Sequence, residues 1–183
     1  VSSAASDVYK RQVLMGIISR RGENMKIILA VDENWGIGKD NEMLFHIKKD
    51  LKHFKDITTK NIVIMGRNTY ESMGQSLPDR ENIILSKNPD FKAENAKIFQ
   101  NPDQVLNYIK DSKKEVFVIG GAKIVEIFLP YCNQAIITKI KAKKDADTYL
   151  HNFDQDPDFE IIKESQIYEE NGIEFSYVTY RRR

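Results

Sequence analysis

The chain has 183 residues, 41% of them hydrophobic and 30% charged, with a formal net charge of +1. This length suits a single domain with a core of its own, and the balanced charge gives no global field that would attract nucleic acid or an acidic membrane. A single cysteine, Cys132, excludes an internal disulfide, and with three scattered histidines it does not make a zinc site, so we expect no metal and a reducing cytoplasm as the location.

Residues 1–24 differ from the rest of the chain. They contain serine and arginine without a sustained hydrophobic period, and their apolar stretch at 13–18 is too short and too poorly placed for a secretory signal. No apolar run in the chain approaches the roughly 18–20 residues that a membrane-spanning helix needs. We therefore predict that residues 1–24 are an extension outside the fold, with a targeting arm as the alternative, and that residues 25–183 form one domain.

From Met25 onward, segments with the pattern of strands alternate with segments of helical spacing. In chain order, the predicted elements are strand 26–31, helix 47–57, strand 61–65, helix 67–73, strand 82–85, strand 97–99, helix 102–109, strand 115–119, a helix after Gly121 that runs to about Leu129, strand 135–140, strand 159–163 and strand 173–180. Asn101 and Pro102 form an N-cap and first-turn pair for the third helix, and Pro130 should end the fourth.

The order of these elements predicts the fold class. Alternating strands and helices favour a mostly parallel sheet that is covered on both faces. The Asn171-Gly172 turn and the alternating tail after it favour antiparallel pairing at the end of the chain. We predict a single α/β domain whose mixed, mostly parallel twisted sheet of about eight strands is flanked by about four helices, with the ligand crevice at the carboxyl ends of the parallel strands.

The most informative local feature is a carboxylate in the helix at 47–57. At about 100° per residue, Ile47, Leu51, Phe54 and Ile57 form an apolar arc, and Asp50 is the only charged residue inside it. A carboxylate in an apolar wall costs several kcal/mol unless something pairs with it. The structural interpretation is an acid that favours the helix start or pairs with a core arginine. The functional interpretation is a carboxylate with a shifted pKa that accepts two planar N–H donors from a guanidine-like or aminopyrimidine-like ligand.

Three strand ends carry groups that could bind an anion. They are Gly66 with Arg67 and Thr69, Leu85 with Ser86 and Lys87, and Gly120 with Gly121. A plain tight turn explains any one of them, but three together suit an extended ligand with several phosphates. The chain contains neither GxxxxGK[ST] nor GxGxxG, so a P-loop and a standard Rossmann site are both disfavoured.

From Met25 to the C-terminus, the chain carries a series of motifs in a characteristic order, namely Ala30 with residues 35–41, then 50–55, 64–72, 77–80, 82–86, 118–121 and 147–148. In their order and spacing, these motifs resemble those of bacterial dihydrofolate reductases. The resemblance implies the dihydrofolate reductase fold, a monomer, and hydride transfer from NADPH to C6 of dihydrofolate with protonation at N5. It also implies that antifolates such as trimethoprim or methotrexate bind the same site.

The resemblance also implies roles for residues on the substrate side. Asp50 would hold N3 and the 2-amino group of the pterin and favour protonation of N5 through water, and Thr138 would bridge to this acid. Arg80 would clamp the α-carboxylate of the glutamate, a bidentate task suited to guanidinium. The remaining substrate-binding positions are the backbone carbonyls of Ala30 and Ile119 and the side chains of Leu51, Phe54, Met73 and Leu77.

On the cofactor side, the resemblance implies a mobile loop at 36–43 that closes over the nicotinamide, with Ile37 against the ring. Gly120 and Gly121 would be joined by a cis peptide bond next to the cofactor. Residues that would hold the pyrophosphate or the 2′-phosphate, and so favour NADPH over NADH, are Arg67, Thr69, Ser86, Lys87 and Lys123. The other cofactor-binding positions are Gly38, Asn68, Ala122 and Ile124.

The chain departs from the family pattern at three places. Leu44-Phe45 replaces a common Pro-Trp, Val125 replaces a frequent tyrosine near the nicotinamide, and Asp79 replaces a frequent glycine. These departures concern rate and inhibitor sensitivity more than the reaction type. Two other functions remain open at this point: a pyrimidine reductase of riboflavin synthesis on the same fold, and a non-catalytic module that binds nucleotide or folate.

Overall fold

The structure is a computed structural model that describes residues 4, 7, 8, 10 and 25–183. Most of the predicted extension at 1–24 therefore lies outside the described residues, and its exclusion from the fold stays a prediction. Within the part of the chain that is described, no helix is long and apolar enough to cross a membrane.

Residues 25–183 form twelve strands and four α-helices. The strands are β1 (Met25–Val31), β2 (Gly36–Lys39), β3 (Glu42–Met43), β4 (Ile62–Gly66), β5 (Glu81–Leu85), β6 (Ala96–Phe99), β7 (Val116–Gly120), β8 (Gln134–Ile140), β9 (Thr148–Tyr149), β10 (Phe159–Glu164), β11 (Tyr168–Glu170) and β12 (Ile173–Arg182). The helices are α1 (Lys48–Thr58), α2 (Arg67–Met73), α3 (Pro102–Ile109) and α4 (Ala122–Phe128).

The main sheet has the strand order β10-β12-β8-β1-β7-β4-β5-β6, and β11 pairs with β12. The six strands from β8 to β6 in this order are parallel, whereas β10, β11 and β12 pair antiparallel. The predicted α/β class is thus confirmed, and the eight predicted strands are the eight on this path. Because the parallel strands all point the same way, their carboxyl ends meet at one edge of the sheet.

Each face of the sheet packs against a separate hydrophobic cluster. Ile62 and Ile64 of β4 belong to the cluster under α3 and α4, whereas Val63 and Met65 belong to the cluster under α1 and α2. All of β4 is buried for this reason. Burial on both faces explains why the central strands are continuous apolar runs rather than alternating ones.

The predicted boundaries agree with the structure within about two residues at most ends, and the largest differences concern short strands. β2, β3, β9 and β11 were not predicted because they are two to four residues long and lack alternating hydrophobicity. The Asn101 cap is confirmed, since its side chain accepts from the backbone N–H of Gln104 at 3.0 Å. Pro130 does not simply end α4, because it lies inside a 3₁₀ turn, Leu129–Tyr131, that continues from it.

Candidate active site

A cleft of about 1190 Å³ runs along the carboxyl ends of the parallel strands. Every residue that the sequence predicts for the site lines this cleft. Pockets for one small ligand are commonly about 300–1,000 Å³, so the volume leaves room for two ligands side by side. The structure therefore brings the predicted site residues together, and their individual roles stay predictions.

Asp50 lies in the first turn of α1, half-buried at the wall of the cleft. The hydroxyl of Thr138 donates to its Oδ1 at 2.6 Å, and Thr138 stands opposite Ala30 in the β1–β8 ladder. Burial raises the pKa of Asp50 above its usual value of 3.8, and the hydrogen bond from Thr138 opposes that rise. Among the described residues, no cation forms an ion pair with Asp50, so its carboxylate remains available to a ligand.

The middle of the apolar arc faces the cleft, whereas Ile47 and Ile57 at its two ends pack in core clusters. Leu51 is 46% exposed, and Phe54 is half-buried beside it at the cleft wall. Met73 at the end of α2 and Leu77 complete this wall. Helical periodicity in the sequence does not by itself distinguish an arc that packs on the core from one that is left open to an apolar ligand.

Arg80 lies at the far end of the same wall. Its Nε donates to the carbonyl of Pro78 at 2.8 Å, and its Nη1 donates to Oγ1 of Thr58 at 3.2 Å. Its guanidinium carbon is 5.9 Å from the centroid of the Phe54 ring. Burial lowers the pKa of Arg80, and the charge of Asp79 opposes this effect. These contacts fix the guanidinium, so a carboxylate ligand would bind an oriented cation.

The three predicted anion-binding turns lie close together because their strands are neighbours. Gly66 at the end of β4 pairs with Leu85 at the end of β5, so Arg67 and Ser86 leave the sheet side by side. The β7 turn contains the predicted cis bond between Gly120 and Gly121.

Glycine occurs in two of these turns, after β4 and after β7. A Cβ atom at Gly120 or Gly121 would lie 3.7 or 3.9 Å from Oγ1 of Thr69, and one at Gly66 would lie 2.8 Å from Cγ1 of Ile124. The 2.8 Å contact leaves no room for a side chain at Gly66, and the φ of 125° at Gly120 favours glycine there, whereas the distances to Thr69 are ordinary van der Waals contacts.

The segment 36–43, expected as a mobile loop, is a β-hairpin of β2 and β3. Asp40 and Asn41 at its turn both have positive φ, 51° and 62°, as a type I′ turn requires. The backbone N–H of Asp40 donates to Asp147 at 2.9 Å, and β2 pairs with β9. Ile37 and Gly38 face the cleft from this hairpin.

The three departures from the family pattern have distinct surroundings. Nζ of Lys144 donates to the carbonyl of Leu44 at 2.6 Å and lies 4.4 Å from the centroid of the Phe45 ring. Val125 is fully buried in the core under α4 and is not among the residues that line the cleft. Asp79 has a φ of 59°, a conformation that glycine adopts more easily.

Some residues of the cleft were missed by the sequence reasoning, among them His53, Asn88, Gln100 and Thr148. The imidazole of His53 stacks on Tyr177 at 3.7 Å between ring centroids, and its Nε2 is buried without a hydrogen-bond partner among the described residues. Its position three residues after Asp50 on α1 was the available signal. Asn88 and Gln100 follow β5 and β6, so only the sheet order brings them to the cleft.

A family model described as dihydrofolate reductase matches residues 24–182. The dihydrofolate reductase of Bacillus subtilis is 33% identical over 161 residues, which cover 87% of this chain and 95% of that protein. The dihydrofolate reductase of Enterococcus faecium is 37% identical over 139 residues, or 75% of this chain and 83% of that one. A solved dihydrofolate reductase of Enterococcus faecalis, complexed with NADP(H) and RAB-propyl, is similar in structure, with a TM-score of 0.79 and 31% identity over 86% of this chain and 95% of that one.

Proposed function

Because the chain belongs to the dihydrofolate reductase family, we propose that it reduces 7,8-dihydrofolate to 5,6,7,8-tetrahydrofolate in the cleft beside Asp50. When bound, NADPH supplies the hydride for C6 of the pteridine, and N5 receives a proton. The observation that carries the proposal is Asp50 itself, a half-buried carboxylate with a raised pKa that lies at the wall of the cleft. The family match favours this function over the pyrimidine reductase and over a non-catalytic module.

Asp50 holds the pterin by its amino edge. Thr138 engages Oδ1, and a carboxylate has about four lone-pair sites, so N3 and the 2-amino group can donate to the remaining ones. A pair of planar donors on one carboxylate fixes the ring orientation as well as its affinity. The negative charge beside the ring favours protonation of N5, and the apolar neighbours strengthen that effect because they exclude water.

The apolar wall and Arg80 hold the rest of dihydrofolate. Leu51, Phe54, Met73 and Leu77 cover the pteridine and aminobenzoyl rings. Arg80, oriented by Pro78 and Thr58, binds the α-carboxylate of the glutamate. Ala30 and Ile119 offer backbone carbonyls near the ring because β1 and β7 are adjacent strands.

The other half of the cleft fits NADPH. The gap between the turns of β4 and β7, which a Cβ atom at Gly120 would narrow, suits a pyrophosphate that lies against backbone. Cations and hydroxyls at the rim, namely Arg67, Thr69, Ser86, Lys87 and Lys123, bind the phosphates. The hairpin with Ile37 and Gly38 covers the nicotinamide and keeps water away from it. The remaining contacts come from Asn68, Ala122 and Ile124.

We also propose that the enzyme acts as a monomer in the cytoplasm and that residues 1–24 are dispensable. One chain builds the whole cleft, which supports the monomer, and sedimentation at assay concentration tests it. The single thiol, Cys132, is buried, and burial raises its pKa, which is consistent with a reducing compartment. Antifolates such as trimethoprim or methotrexate present the same kind of amino edge to Asp50 and are proposed to bind here.

The deciding experiment follows the absorbance of the reduced nicotinamide in the presence of dihydrofolate. We expect turnover with NADPH, a higher KM with NADH, and a much higher KM for a dihydropterin that lacks the glutamate tail. Oxidation of NADPH with a pyrimidine substrate of riboflavin synthesis but not with dihydrofolate would contradict the proposal. Binding of both ligands without turnover would point to the non-catalytic module.

A further inference from the structure

The guanidinium of Arg67 is held in place by two neighbours. Its Nε donates to Oε1 of Glu71 at 2.8 Å, one turn further along α2. Its central carbon lies 4.9 Å from the centroid of the Phe91 ring. Among the described residues, the Nη groups of Arg67 have no hydrogen-bond partner, so they are the donors that remain for a ligand in the cleft.

Phe91 also anchors the segment that follows β5. The hydroxyl of Ser86 accepts from the N–H of Asn88 at 3.3 Å, and the side chain of Asn88 accepts from the N–H of Asp90 at 2.9 Å. The N–H of Phe91 then donates to the carbonyl of Asn88 at 3.2 Å. The half-buried ring of Phe91 meets Tyr70 edge to face at 5.9 Å, within the cluster under α1 and α2.

Phe91 therefore contacts residues at two neighbouring strand ends, since its ring meets Arg67 after β4 and its backbone N–H donates to Asn88 after β5. Gly66 at the end of β4 pairs with Leu85 at the end of β5. Because adjacent strands are about 4.8 Å apart, the backbone of Arg67 lies close to the turn that contains Ser86 and Lys87. Phe91 is not among the residues that line the cleft. Its effect on a ligand would thus act through Arg67 and through this turn.

We propose that Phe91 is a positioning residue that sets the discrimination between NADPH and NADH. Its ring holds the flat face of Arg67 beside the turn that carries Lys87, so that both cations meet the 2′-phosphate of the adenosine ribose. A guanidinium on an aromatic face loses less freedom on binding than a mobile one. This inference rests on the proposed function, in which Arg67 and Lys87 bind phosphate.

The test measures binding of adenosine 2′,5′-bisphosphate and of adenosine 5′-monophosphate by calorimetry, since the two probes differ by the 2′-phosphate. Phe91→Leu should raise the Kd of the bisphosphate by roughly 3- to 30-fold, the range expected for one cation–π contact. The Kd of the monophosphate should stay within about twofold of the wild-type value. Phe91→Tyr keeps the ring and should restore tight binding. With NADPH at saturation, kcat of Phe91→Leu should stay close to that of the wild type.

Phe159→Leu is the matched control, because Phe159 lies on β10 away from the cleft and also carries an arginine, Arg182, at 4.6 Å from its ring centroid. Phe159→Leu should leave the Kd of both probes unchanged. Arg67→Lys keeps the charge without the flat guanidinium, and the double variant with Phe91→Leu should bind the bisphosphate no more weakly than the weaker of the two single variants.

Equal weakening of both probes in Phe91→Leu, or additive losses in the double variant, would overturn the role of Phe91 while leaving the reductase intact. If the wild type itself binds both probes equally, the 2′-phosphate site fails, and the role of Phe91 fails with it.

Discussion

Replacing Asp50 with asparagine tests the central claim about the site. The amide oxygen can still accept the hydroxyl of Thr138, which donates to Oδ1 at 2.6 Å, so the –NH₂ group then faces the cleft. The pterin loses a hydrogen bond to a charged acceptor, about 1.5–3 kcal/mol, and its amino edge meets a donor instead of an acceptor, which costs about 1–3 kcal/mol more. The sum is roughly 3–6 kcal/mol.

At about 1.4 kcal/mol per tenfold change, this sum predicts a fall in kcat/KM for dihydrofolate of roughly 10²- to 10⁴-fold near neutral pH. The assay is the absorbance of the reduced nicotinamide at saturating NADPH. The Kd of NADPH should change little, because the cofactor phosphates lie on other strand ends.

Asp56→Asn is the matched control. Asp56 is on the same helix, is exposed, and pairs with Lys52 at 2.7 Å, an arrangement worth at most about 0.5 kcal/mol. Its loss should leave kcat/KM unchanged. An Asp50→Asn variant whose kcat/KM stays within about tenfold of the wild type would refute the bidentate role of the carboxylate.

Four further predictions concern the same site and its surroundings. Arg80→Leu removes the clamp for the glutamate carboxylate. The loss of about 2–4 kcal/mol of binding free energy should raise the KM of dihydrofolate by roughly 30- to 1,000-fold in steady-state kinetics. An equal rise in the KM of NADPH would contradict the clamp. Thr138→Val removes a donor to the Asp50 carboxylate, so it should raise the pKa of Asp50 further and increase the Kd of dihydrofolate up to about tenfold, as carboxyl NMR and fluorescence titration can check. Because the pKa of Asp50 is raised in the folded state, the free energy of unfolding of the wild type should fall as pH rises from about 4 through that folded pKa. Urea unfolding should therefore show that Asp50→Asn becomes more stable relative to the wild type with rising pH. A difference in unfolding free energy that stays constant with pH would argue against a costly buried charge. Deletion of residues 1–24 should leave kcat/KM and solubility intact, and a loss of either would show that the extension belongs to the fold.

The helices and the long strands could be predicted because their signals are local. β1, β4 and β7 are buried on both faces, so each is an apolar run bounded by turn residues. The Asn101 cap and Pro102 mark the start of α3 in the same way. The short strands β2 and β9 had no such signal, because their pairing depends on a hairpin turn and on a partner more than a hundred residues away.

Part of the site was also visible in the sequence. Helical periodicity placed Asp50 inside an apolar arc. Glycines after β4 and β7, together with Ser86 and Lys87 after β5, marked three turns that could bind an anion. The family motifs supplied the remaining positions, such as Arg80 and Thr138. No local pattern, however, indicated that Phe91 would contact Arg67 or that His53 would stack on Tyr177.

The amino-acid sequence by itself therefore determined the four helices, the eight longer strands and which carboxylate stands among apolar neighbours, because the periodicity of side chains follows directly from backbone geometry. Tertiary structure alone decided that Leu51 and Phe54 of α1 face a cleft, that Thr138 reaches Asp50 across 88 positions of the chain, and that the turns after β4, β5 and β7 lie at one edge. These contacts depend on the order and register of parallel strands, which is set by how the two faces of the sheet pack and not by any segment on its own.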